Sequence, residues 1–108
     1  MRSSALAAVA MLWMCGPAPA QSTATLERRG EQLLAQYCAM CHAIGRTGNS
    51  PHPQAPPFRT LDRKYPVAAL EEALGEGLIS GHPDMPEFTF SAEDVGAIIA
   101  YLSAIQER

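Results

Sequence analysis

Cys38, Cys41 and His42 stand in the stretch CAMCHAIG, two thiols three positions apart with an imidazole directly after the second. Four chemistries use such closely spaced cysteines: a disulfide, a zinc site, a thiol redox pair and covalent attachment of haem. Zinc wants four ligands, and beyond the cysteines the sequence offers only His42, His52 and His82, at spacings unlike the usual second pair. A thioredoxin-like pair is expected beside a strand in a βαβ pattern, which this chain lacks. A disulfide explains the cysteines but leaves His42 without a role. Covalent haem uses all three residues, because positions i, i+3 and i+4 near the end of a helix lie to one side of it. Cys38 and Cys41 would then form thioethers with the haem vinyl groups, and His42 would reach the iron through Nε2.

The opposite axial position needs a second ligand. Once a leader is removed, two methionines remain, and Met40 lies inside the attachment motif, where it cannot reach the far face. Met85 is the candidate by elimination. Pro83 and Pro86 restrict the backbone around it, as a fixed sulfur-to-iron distance would require. Ordinary core filling beside Phe88 and Phe90 is the alternative role for this side chain. His52 and His82 read as solvated loop residues. Haem propionates need charged or hydrogen-bonding partners, for which Arg59, Lys64 and Tyr65 are candidates.

Three helical patterns must position these groups. The first spans about Leu26 to Cys41, with Leu26, Gly30, Leu33, Leu34 and Tyr37 on one face and Thr23 or Thr25 as its cap. The second opens at Pro66, carries Val67, Leu70 and Leu74, and stops at Gly75 or Gly77, with Glu71, Glu72 and Glu76 facing water. The third begins with a capping box at Ser91 and Asp94 and continues through Val95, Ile98, Ile99, Leu102 and Ile105 on one stripe. Between them lie two loops rich in Gly and Pro, "GRTGNSPHPQAPPFRTLDRKY" and "ISGHPDMPEFTF". Structureless loops of that length usually carry function.

The N-terminus reads as a targeting segment. Arg2 supplies a positive start, "ALAAVAMLWMC" a short apolar run, and Ala18-Pro19-Ala20 the small residues of a cleavage site, so removal before Gln21 is expected. The run is too short to span a bilayer comfortably, and Trp13 and Met14 are too large to precede a lipidated Cys15. This gives a leader over 1–20 and one domain over 21–108. Seven of the eight basic residues and all eleven acidic ones then remain, a formal charge of about −4, which argues against nucleic acid as a partner. A domain so small gains limited stability from its own apolar core, and something apolar is expected to complete it.

Cys38-Ala39-Met40-Cys41-His42, the "MPEF" segment and "AIIAYLSAI" resemble a class I c-type cytochrome of the small bacterial single-haem kind, over roughly Leu26 to Ile105. The resemblance implies an all-α cytochrome c fold, three main helices around one covalently bound haem c, with the first and last helices crossing at Gly30 against Leu34, Ile98 and Tyr101. It implies further that the Nδ1–H of His42 is tied to a proline carbonyl in the following loop, Pro56 being the best match and Pro57 the alternative. Mitochondrial members dock through a ring of lysines; Lys64 is the only lysine here, so that docking mode is not expected.

With thioethers, His42 and Met85 around the iron no position is left for substrate, and electron transfer follows. The expected protein is a periplasmic one-electron carrier without catalytic residues, a monomer that docks transiently on membrane complexes or soluble oxidoreductases. Two rivals are a fixed subunit of a larger dehydrogenase or oxidase, and a haem gas sensor or peroxidase with an open axial position.

Overall fold

The computed structural model describes residues 9–17, 21–78 and 81–107. The expected cleavage residues Ala18 to Ala20 lie outside them. Among the described residues three α-helices, α1 (Thr23–Tyr37), α2 (Leu70–Glu76) and α3 (Ala92–Ile105), are joined by loops and two short 3-10 turns, Phe58–Arg63 and Val67–Ala69. The fold is all-α, with no strand among the described residues. None of the described helices is long and apolar enough to cross a membrane.

Helix α1 starts three residues before the hydrophobic pattern does. Its cap is Ser22, whose hydroxyl accepts the Thr25 N–H at 3.2 Å, rather than Thr23 or Thr25. It also stops at Tyr37, not at Cys41. There the N–H groups of Cys38 and Ala39 both return to the Leu34 carbonyl, at 2.8 and 3.0 Å, which closes the helix before the cysteine motif begins. Tyr37, assigned to the inner face, is 42% exposed, and its ring meets Phe88 and Phe90 with centroids 5.8 and 5.6 Å away.

Gly30 is where the first and last helices meet. A Cβ built there would lie 2.7 Å from the Ala97 carbonyl carbon and 2.8 Å from Tyr101 Cβ, distances at which backbone must move. Only a residue without a side chain allows so close an approach. The Ala97 backbone was not foreseen as the partner; Ile98, which was, is wholly buried beside it. Leu33, Leu34, Val95, Leu102 and Ile105 complete the seam, and Phe58, Leu61, Val67 and Leu74 close the core from the loop and α2 side.

Ser91 caps α3 as its sequence predicts, accepting the Asp94 N–H at 3.2 Å. The Asp94 carboxylate accepts from Arg29 at 3.3 Å, so this acidic residue ties α3 to α1. Pro66 sits one place outside the second helical segment, which begins as the 3-10 turn at Val67 and becomes α2 at Leu70. That segment ends at Gly77, whose φ of +123° lies in the region that side chains rarely adopt. Beyond it the Leu78 N–H donates to the Phe88 carbonyl at 3.2 Å and the Phe90 N–H to the Leu74 carbonyl at 2.9 Å, pinning the end of the "MPEF" loop to α2.

Candidate functional site

The cysteine motif occupies an isolated turn on the end of α1. Both the Cys41 and His42 N–H groups donate to the Cys38 carbonyl, at 3.2 and 2.9 Å, so both residues come back over Cys38 although the helix has already ended. The turn is held from the far side as well: the His52 N–H donates to the Cys41 carbonyl at 3.0 Å, and the Ala43 N–H to Ser50 Oγ at 3.0 Å. Met40 points away and is 88% exposed.

Cys38 and Cys41 are half-buried free thiols. Burial, reinforced by the neighbouring Cys41, pushes the Cys38 thiol up to about 11. A redox-active pair has a thiol lowered towards or below neutral pH, so this environment runs opposite to thiol–disulfide chemistry. It suits a sulfur that ends in a neutral thioether.

His42 is fixed in tautomer and orientation. Its Nδ1 lies 2.8 Å from the Pro56 carbonyl oxygen, and since a carbonyl only accepts, Nδ1 carries the proton. In the neutral ring this leaves Nε2 with the lone pair that a metal ligand needs. The ring stacks on Phe58, centroids 4.5 Å apart and planes at 29°. Phe58 is held in turn by its N–H to the Ala43 carbonyl at 3.0 Å and by its own carbonyl, which accepts from the Gln106 side chain at 2.7 Å.

Gln106 was not foreseen. It is 8% exposed and bridges three segments, donating to the Phe58 and Leu102 carbonyls and accepting the Asp62 N–H at 3.0 Å. Its position four residues after Leu102, in register with the apolar stripe of α3, was the available signal. Tyr101 adds a further tie, its hydroxyl donating to the Ile44 carbonyl at 2.8 Å just past the motif.

Met85 lies half-buried in the second loop, where its N–H donates to the His82 carbonyl at 3.1 Å and closes a turn over Pro83 and Asp84. Phe88 and Phe90 pack on Tyr37 and so anchor this loop to the end of α1. Arg59 is engaged with protein groups: its Nε donates to Glu107 at 3.0 Å and its Nη1 to the Gly48 carbonyl at 2.7 Å. Lys64 and Tyr65 are exposed. His52 and His82, read as solvated, are half-buried and stand edge to face, 5.4 Å between centroids.

These residues fit a covalently held haem: two half-buried thiols over one turn, an imidazole whose Nδ1 is tied to the Pro56 carbonyl so that Nε2 is the nitrogen left for a metal, and an apolar core beside them. No curated protein and no solved structure matches the chain. The family described as cytochrome c oxidase, cbb3-type, subunit III matches residues 25–102, from α1 almost to the end of α3. That match covers the attachment turn, both loops and the helix crossing together, and the chain belongs to this family, as an all-α c-type cytochrome domain with covalently bound haem c that serves electron transfer.

Proposed function

We propose that the chain is a periplasmic single-haem cytochrome that carries one electron at a time between redox partners, its haem joined through Cys38 and Cys41 and its iron ligated by His42 and Met85. The observation that carries this reading is the 2.8 Å bond from His42 Nδ1 to the Pro56 carbonyl, which presets the imidazole as a ligand within the attachment turn. The bound haem supplies the chemistry, a one-electron exchange between Fe(II) and Fe(III). Everything else falls to the chain. Pro56 and Phe58 hold the His42 ring still, the bonded turn at His82 and Met85 limits where the thioether sulfur travels, and the packed core keeps water away. Arg59, paired with Glu107 beside the same loop, is assigned a supporting part at the propionate side.

Residues 1–20 are read as a leader removed on export and residues 21–108 as the cytochrome domain, a monomer that docks transiently on membrane complexes or soluble oxidoreductases. The acidic balance supports protein partners rather than nucleic acid. The family description, which names an oxidase subunit, favours a second reading in which the domain is a fixed component of such a complex. Purification from native membranes in a constant ratio to other subunits would favour that reading; recovery as a free haem protein supports the carrier.

Met85→Ala tests the ligand set. Water, hydroxide or another side chain then fills the axial position, all of which favour Fe(III) more than a thioether does, and the potential falls by on the order of 100 mV or more. The reduced variant binds CO while the wild type does not, and the weak sulfur-to-iron band at the red end of the oxidised spectrum disappears. If potential, band and CO resistance all survive, Met85 fills core and the iron is ligated elsewhere.

A further inference from the structure

We propose a second metal site, distinct from the haem, formed by His52, His82 and Asp84 and suited to one late first-row divalent ion such as zinc. One nitrogen from each ring and one carboxylate oxygen lie within 4.8 Å of one another. His52 Nε2 and Asp84 Oδ2 stand 3.4 Å apart, and two ligands about 2.1 Å from a tetrahedral zinc are separated by roughly 3.4 Å. The His82 nitrogen lies within the same 4.8 Å and comes to ligand distance by a side-chain adjustment.

The donor set selects the ion. Two imidazoles and a single carboxylate suit zinc, copper or nickel, whereas calcium and magnesium take oxygen ligands. Three protein ligands leave a fourth position to water, and Asp84, 69% exposed, keeps the site open to solvent. Binding requires rearrangement of exposed hydrogen bonds. Gln54 N–H donates to His52 Nδ1 at 3.1 Å and Asp84 N–H to His82 Nδ1 at 3.2 Å, while each Nε2 faces an oxygen, of Asp84 for His52 and of the Gln54 side chain for His82. A ring that ligates through Nε2 gives up the turn bond at Nδ1.

The site bridges the two loops that bear on the haem. His52 belongs to the segment bonded to Cys41, and His82 and Asp84 belong to the turn closed by the Met85 N–H. An ion here joins the two loops directly.

Tag-free, haem-loaded protein titrated with zinc by calorimetry is expected to bind one equivalent. His52→Ala, His82→Ala and Asp84→Asn, each checked for an unaltered haem spectrum, should each raise the dissociation constant at least tenfold, while Gln54→Ala leaves it no weaker. X-ray absorption of the zinc-loaded wild type needs no variant to fold, and should show scattering from two imidazoles. The chain has three histidines, and with His42 on the iron that signal assigns His52 and His82. Absence of saturable zinc binding, a zinc shell without imidazole, or affinities that ignore all three substitutions would overturn the proposal.

Discussion

The Gln106 side-chain amide donates to the Phe58 carbonyl at 2.7 Å, so the residue stacked on His42 is held by the end of the last helix. Gln106→Leu keeps the volume and removes the bonds, leaving the Phe58 carbonyl and the Asp62 N–H without this partner. A buried polar group left unpaired costs about 1–3 kcal/mol. The denaturation midpoint of the haem-loaded protein should drop accordingly, and an unchanged midpoint would mean that water replaces the amide at no cost.

Gly30→Ala separates two effects of opposite sign. Alanine is the better helix former by about 1 kcal/mol, yet its Cβ would press on the Ala97 carbonyl. Overpacking costs about 1–3 kcal/mol, a large part of the 5–15 kcal/mol that a small domain has in total. A net loss is expected for Ala and a larger one for Val. A raised midpoint for Ala would show that the helices separate without penalty at this crossing.

Attachment is tested by extraction. Haem should stay with the polypeptide through acid–acetone treatment and denaturing electrophoresis, and it should be lost on both counts from the Cys38→Ser/Cys41→Ser double variant. Haem extracted by acid–acetone from the wild type would rule out thioether linkage.

Tyr101 gives the fold an alkaline limit. Burial raises its phenol above the ordinary 10.0, the Glu31 carboxylate adds to this and Arg46 opposes it. With the folded value above the unfolded one, the stability that the neutral phenol contributes is complete below about pH 10 and is lost as pH climbs through the raised value. Tyr101→Phe should cost about 1 kcal/mol at neutral pH through the lost bond to the Ile44 carbonyl. It should also flatten the alkaline arm of the stability profile, read from denaturation midpoints across a pH series. An arm as steep as in the wild type would assign the limit to another group.

Strong periodicity made the helices legible. Val95, Ile98, Leu102 and Ile105 are all buried on α3, and Gly30 and Tyr101 meet where the family resemblance placed them. The end of α1 was not legible. Whether Cys38 to Cys41 continue a helix or form a separate turn depends on two N–H groups sharing the Leu34 carbonyl, and no residue type announces that. Gln106 escaped notice because a polar residue past the last apolar position looks solvated until a loop from far upstream folds beneath it. The pairing of His52 with His82 escaped for a similar reason, since the two lie in different loops and only the closed fold brings them together.

The contact between Gly30 and Ala97 also orders events in time. It joins the first helix to the last across nearly the whole domain, so the core is missing an entire wall until α3 has been synthesised. Contacts this distant in sequence form only after a long stretch of chain has closed on itself, which makes them slow relative to local helix formation. Docking of α3 on α1 is therefore expected to follow formation of the helices themselves.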